Sequence, residues 1–171
     1  LYTVMTANAT RLMRLIQQVL EFRKVESGNL KICVSYGDIS SFLRSCAEAY
    51  TFAWQESQLL SFESTPDIIF GFFDADKLDK IVYNLLSNAA KYTPEGGQIC
   101  VRAALADEYT LQIDVTNTGE LMTQKTIDGL FKRFYEGDYR RHNTIGTGIG
   151  LALVKDLVAL HHGCLLYTSP S

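Results

Sequence analysis

Asn84 and Asn88 lie one helical turn apart, with Lys91 a further turn on, and these are the residues best placed to do chemistry. An Asn amide competes for backbone hydrogen bonds and is a poor helix-interior residue, so a pair at this spacing needs a reason. A bound ligand is one. An Asn carbonyl oxygen is a neutral hard donor suited to Mg2+, which keeps several waters and shares phosphate oxygens, and a lysine one turn along meets those phosphates. A solvated helix face is the competing reading of the same spacing. A second stretch, Gly146-Thr147-Gly148-Ile149-Gly150-Leu151, opens an apolar helix. Glycines let the backbone approach a phosphate closely, and a helix N-terminus offers free N–H groups with partial positive charge. It is not a Walker A loop, because no Gly-Lys-Ser/Thr ends it, nor a dinucleotide fingerprint, because the spacing is GxGxG and no strand precedes it. No triad or paired-carboxylate site is evident.

The element that must position the two asparagines is the stretch from Lys77 to Tyr92. Leu78, Ile81, Val82, Leu85, Leu86 and Ala89 recur at three- and four-residue steps and form an apolar stripe, opposite a polar one of Lys77, Lys80, Asn84, Asn88 and Lys91. Asp74 or Asp76 caps this helix, and Pro94-Glu95-Gly96-Gly97 ends it. Upstream, Met5, Ala9, Leu12, Ile16 and Val19, widened by Leu15 and Phe22, form a heptad-type seam of a helix that pairs and ends near Ser27-Gly28. Leu30 to Ser35 alternates as a half-buried strand, and Asp38 caps a helix that buries Ile39, Phe42, Leu43, Cys46, Tyr50 and Trp54. Leu59 to Glu63 and Ile68 to Phe73 read as strands joined by Thr65-Pro66-Asp67; Gln98 to Leu105 and Thr110 to Thr116 follow as two more. Helix, two strands, helix, two strands predicts a two-layer α/β sandwich whose mixed sheet is covered on one face. Glu120 to Thr144 is long and polar, anchored by Leu130, Phe131, Phe134 and Tyr135, as lids are.

With 171 residues the chain suffices for one well-buried domain plus an appendage. Sixteen basic and nineteen acidic residues, scattered, leave a net charge of −3 and argue against nucleic acid as a partner. Cys33, Cys46, Cys100 and Cys164 lack metal-ligand spacing and read as buried or incidental thiols of a reducing compartment. The apolar run from Ile68 to Phe73 is far short of the ~20 residues that span a bilayer, so the fragment is not expected to insert in a membrane.

Asn84-Leu-Leu-Ser-Asn88-Ala-Ala-Lys91-Tyr92-Thr93-Pro94 resembles the N box of sensor histidine kinases, within the Bergerat ATP-binding superfamily shared with type II topoisomerases, heat-shock chaperones and mismatch-repair ATPases. Val115-Thr-Asn117-Thr-Gly119 stands at the place of that family's G1 box, with two departures. An amide replaces the carboxylate that normally accepts from the adenine amino group, and Leu121 replaces the usual second glycine. Leu130-Phe131-Lys132-Arg133-Phe134-Tyr135 resembles the F box at the base of the ATP lid, and Gly146 to Leu151 the G2 box. Phe22 to Leu30 is similar to the end of the second helix of the dimerisation and phosphoacceptor hairpin. Taken separately, Asn-Thr-Gly is also a simple turn and the two phenylalanines a pinned loop; the order of the boxes is what is specific.

The resemblance implies an ATP-binding catalytic domain over 29–163, preceded by part of a hairpin helix over 1–28. Residues 164–171 resemble the translation of a sequencing-library adaptor and are set aside as a scar; a strand and a third glycine box would be expected after Gly163. It implies ATP and Mg2+ as cofactors, with Asn88 on the metal, Asn84 ordering its waters, and Lys91 and Arg133, with Arg140 or Arg141, on phosphate. Tyr92 would stack on adenine, Asn117 and Gly119 would face it, Phe131 and Phe134 would pin the lid, and residues 146–151 would cradle the phosphates. His142, His161 and His162 read as lid and surface residues, so the phosphorylated His belongs to the missing first hairpin helix. The implied activity is transfer of the γ-phosphoryl group to that His and relay to a response regulator receiver domain. The implied setting is a homodimer joined through the hairpin, a cytoplasmic module of a membrane-anchored bacterial sensor, with wording similar to hybrid kinases. The alternatives are an ATP-driven clamp, whose relatives usually carry Glu where Asn84 stands, and a pseudokinase acting as a dimerisation module.

Overall fold

Asp74 decides where the helix carrying Asn84 and Asn88 begins. Its Oδ1 accepts from the Lys77 backbone N–H at 3.1 Å, satisfying one of the open donors of a first turn. In the computed structural model, which describes residues 2–54, 58–130, 132 and 148–167, the elements in chain order are α1 Tyr2–Glu26, β1 Ser35–Asp38, α2 Ile39–Trp54, β2 Leu59–Thr65, β3 Phe70–Phe73, α3 Ala75–Tyr92, β4 Gln98–Leu105, β5 Leu111–Asn117, α4 Gln124–Gly129 and α5 Gly150–Leu160. The chain divides into two compact units, Leu1–Lys31 with Leu121–Ser171, and Ile32–Glu120.

In the unit Ile32–Glu120, β4 is the middle strand of a mixed sheet, parallel to β2 and antiparallel to β5. Ile99, Val101 and Ala103 of β4 alternate onto a core shared with Leu43 and Tyr50 of α2 and with Leu78, Val82, Leu86 and Ala89 of α3. The opposite face is polar, and Arg102 reaches across to Glu63 at 3.1 Å. The helices therefore cover one face, as the period-two and period-3.6 patterns predict. Asp38 caps α2 as expected: its carboxylate accepts from the Ser40 and Ser41 hydroxyls and the Ser41 N–H.

Two strand expectations are corrected. The first strand is Ser35–Asp38 and not Leu30 to Ser35; Ile32 and Val34 are exposed. Its position is set by β3, with Gly37 opposite Gly71, where a Cβ on Gly71 would lie 2.9 Å from Ile39 Cδ1. Alternation marks an extended run, but the partner decides which part of it pairs. The second is the strand expected from Ile68 to Phe73, which begins at Phe70; Thr65-Pro66, a cis peptide, lies between the two strands as expected, and each pairs elsewhere, β2 with β4 and β3 with β1. A turn signal fixes adjacency in sequence only. Of the cysteines, Cys33 and Cys164 are exposed and Cys46 and Cys100 half-buried, and none of the four is in a disulfide.

In the other unit, α1 packs on α5. Its C-terminus is closed by Gly28 at φ 67°, with Gly28 N–H donating to Val25 O and Asn29 N–H to Lys24 O, a Schellman motif. Phe22 is buried, but Met5, Leu12, Ile16 and Val19 of the seam stand exposed. Among the described residues no helix is long and apolar enough to cross a membrane.

Candidate functional site

The polar stripe of α3 is not uniform. Lys77, grouped by spacing with the nucleotide-facing residues, is buried, and its Nζ lies 3.0 Å from Asp74 Oδ2. Removing it from the stripe is a correction with a plain cause: a buried ammonium requires a paired carboxylate, and the cap supplies it. Lys80 pairs with Asp76 at 2.8 Å. Asn84 is buried and turns back on its own helix, donating from Nδ2 to Lys80 O at 2.7 Å, which removes the conflict that makes Asn unfavourable there. Asn88 is different. It is half-buried, and among the described residues no group donates to or accepts from its amide.

Lys91 and Tyr92 close the helix, with Lys91 Nζ 5.2 Å from the Tyr92 ring centroid. Thr93 caps the end by donating from its hydroxyl to Ala89 O at 2.6 Å. The turn after β5 is built against this helix end. A Cβ on Gly119 would lie 2.8 Å from Tyr92 O and 3.4 Å from Asn117 Nδ2, and one on Gly97 2.7 Å from Thr118 Oγ1. Only glycine allows these approaches. Thr118 Oγ1 accepts from Gln98 N–H at 2.9 Å, and Asn117 Nδ2 donates to Thr118 O at 3.2 Å. Asn84, Asn88, Lys91 and Tyr92 are thus brought together on α3, with Asn117 and Gly119 at its C-terminal end.

Gly148, Ile149, Gly150 and Leu151 belong to the other compact unit and open α5. Gly148 has φ 65°, and Ile149, the N-cap, makes no side-chain capping bond, so the first-turn N–H groups carry no side-chain cap. Phe131, Arg133, Phe134, Gly146 and Thr147, with Arg140, Arg141 and His142, lie outside the described residues. Sequence reasoning missed Gln58, whose Nε2 donates to Thr93 O at 3.1 Å, and the reach of Asp74 to Cys33 N–H at 2.7 Å. Neither has a local signal, since both partners are more than thirty residues away.

Three carboxylates are held below their usual range, Asp38, Asp74 and, in the turn between β4 and β5, Asp107, which accepts from the Tyr109 N–H. Asp38 is held down at about 2, first by the Ser41 hydroxyl and then by that of Ser40. For Asp74 burial is the largest influence and pushes upward, but the bonds from Cys33 N–H and from Lys77 outweigh it and hold the carboxyl below its usual range. Among the described residues no three His, Cys, Asp or Glu side chains gather as a metal site. A divalent ion at Asn88 would therefore take most of its ligands from water and phosphate, the habit of Mg2+, and the amide oxygen fits it.

The family model described as "Histidine kinase-, DNA gyrase B-, and HSP90-like ATPase" matches residues 73–171. The chain belongs to this ATPase family. It is 31% identical to Histidine kinase P4 of Formosa agariphila over 95% of its length, covering 12% of that protein, and 30% identical to Sensor histidine kinase WalK of Bacillus subtilis over 95%, covering 27%. Among solved structures it resembles the mycobacterial sensor histidine kinase MprB at 26% identity and TM-score 0.66, covering 75% of this chain and 82% of that one. It also resembles full-length ShkA in complex with AMPPNP at 25% identity and TM-score 0.74, covering 88% of this chain and 31% of that one. The chain thus spans only a small part of the curated relatives it matches.

Proposed function

We propose that this chain is the ATP-binding catalytic part of a sensor histidine kinase, phosphorylating a histidine of its dimerisation hairpin for relay to a response regulator receiver domain. The observation that carries the reading is the Asn88 amide, left without a partner among the described residues between Asn84, which turns back on its own helix, and Lys91 one turn on. Asn84 supports transfer over ATP-driven clamping, because an amide one turn before the metal ligand cannot serve as a hydrolytic base.

In this reading Asn88 holds Mg2+, with Asn84 supporting its water shell. When bound, the ion neutralises charge on the phosphates. Lys91 and Arg133 contact phosphate, and the backbone of residues 146–151, with Thr147 and Leu151 flanking the glycines, cradles the chain. Tyr92 stacks on adenine and Asn117 accepts from its amino group beside Gly119, while Phe131 and Phe134 anchor the lid. The imidazole nitrogen of the acceptor attacks the γ-phosphorus, the bond to the bridging oxygen breaks, and ADP leaves. The setting is a homodimer joined through α1 and its hairpin partner, the cytoplasmic module of a bacterial sensor.

The test titrates parent and Asn88→Ala with ATP in Mg2+ and in EDTA. Mg2+ dependence is expected in the parent and not in the variant; equal dependence in both removes Asn88 from the metal. Radiolabelled ATP should then label a supplied hairpin from the full gene. Label on His161 or His162 of the chain itself would refute the assignment of the acceptor.

A further inference from the structure

The buried carboxylate of Asp74 has more partners than a helix cap needs. Oδ1 takes the Lys77 backbone N–H, the ordinary capping bond. Oδ2 takes Lys77 Nζ at 3.0 Å and the backbone N–H of Cys33 at 2.7 Å, a residue 41 positions away. Asp74 is 2% exposed; its bond to Lys77 Nζ is buried and its bond to the exposed Cys33 is part-buried.

The Cys33 bond is placed with purpose. The last backbone pair of β1 and β3 is Ser35↔Phe73, and after the still-extended Asp74 the chain turns into α3 at Ala75. The Asp74 side chain supplies the acceptor that the backbone can no longer offer, so residue 33 is held where the ladder has already ended. Residues 29–34, which lead from α1 to β1, have no regular structure, and the division between the compact units falls at Lys31 and Ile32. Cys33 is therefore gripped just inside its unit, by the same group that starts the helix carrying Asn84 and Asn88.

We infer that Asp74 is a positioning residue that ties the segment entering from α1 to the N-terminus of the nucleotide helix, so that the catalytic unit is held for phosphoryl transfer by a defined attachment at Cys33. This rests on the kinase reading above. It separates two properties that a merely stabilising bond would move together. In that reading none of the nucleotide contacts involves Cys33, so ATP affinity should not depend on the tether. Transfer to a histidine outside the unit depends on how the unit is held, and misplacement by about 1 Å costs as much as a hundredfold in rate.

The experiment uses the full-length protein encoded by the gene. Cys33→Pro removes the donor N–H and leaves Asp74 and its cap in place; Cys33→Ala keeps the N–H and serves as control. Cys33→Pro is expected to bind ATP within about twofold of the parent while its autophosphorylation rate falls about tenfold or more, with Cys33→Ala unchanged in both. Unchanged autophosphorylation in Cys33→Pro overturns the inference. So does a parallel loss of ATP binding, phosphorylation and melting temperature, which would make the bond a stabilising contact only. If the parent itself neither binds ATP nor becomes phosphorylated, it is the kinase reading that fails.

Discussion

Asn117→Asp changes one group at the end of β5, the amide NH2 for an oxygen, at the position where the chain departs from its family. The amide Nδ2 donates to Thr118 O at 3.2 Å, which leaves Oδ1 as the acceptor free to face a base. A neutral acceptor bonds the adenine amino group about half as strongly as a carboxylate, so the Asp variant should gain about 1 kcal/mol with ATP, roughly fivefold in affinity. Guanine presents a carbonyl at the same place. The parent amide can donate to it only by rotating and giving up the Thr118 bond, which costs about 0.5–1 kcal/mol, whereas a carboxylate cannot donate at all. GTP affinity should therefore fall in the Asp variant, also by several-fold, and the ATP-to-GTP ratio should widen on the order of tenfold or more. Calorimetric titration of both proteins with both nucleotides at fixed Mg2+ measures the four affinities. If neither nucleotide distinguishes the variant from the parent, Asn117 does not face the base and the placement of the G1 turn is wrong.

Removing the Asp74 carboxyl as Asp74→Ala leaves Lys77 buried without its partner, and urea denaturation should show a loss of about 3–5 kcal/mol. Because folding depresses the Asp74 pKa, its contribution is present above the unfolded-state value near ~4 and is lost as pH falls through the folded value; Asp74→Asn should flatten the acid limb of the stability profile in that window. Gly119→Ala would set a methyl 2.8 Å from Tyr92 O, a backbone atom held by the helix end, and should cost about 1–3 kcal/mol by thermal denaturation. If its melting temperature matches the parent's, the turn is not pressed against α3 as described.

The parts of the fold that repeat were legible, and the parts that depend on a distant partner were not. The apolar stripe of α3 and the alternation in β4 are enforced by local geometry, and Leu78, Val82 and Leu86 are in the core where their spacing puts them. The first strand lies further along than alternation places it, because Leu30, Ile32 and Val34 alternate as well as a paired strand does, while the pairing of Ser35–Asp38 depends on β3, with Gly71 opposite Gly37. At the candidate site, residue type and order put Asn88 on α3 and Asn117 at the end of β5. The close approach of Gly119 to Tyr92 could not, since it joins positions 27 apart along the chain.

The same limit explains why five polar residues of α3 that looked alike divide into two groups. Lys77 and Lys80 are neutralised by Asp74 and Asp76, which also satisfy the positive end of the helix dipole, so the first turns present no net attraction for an anion. Lys91, whose charge rests on a ring and not on a carboxylate, is the remaining cation of the stripe. It stands in the last turn, where the dipole is negative and repels phosphate. An anion held beside Asn88 therefore depends on charge that α3 supplies through Lys91 alone, and the rest must come from a bound cation or from other elements. A helix that neutralises its own early lysines and leaves a bare amide before its last one is suited to a metal-bridged phosphate and poorly suited to a free one.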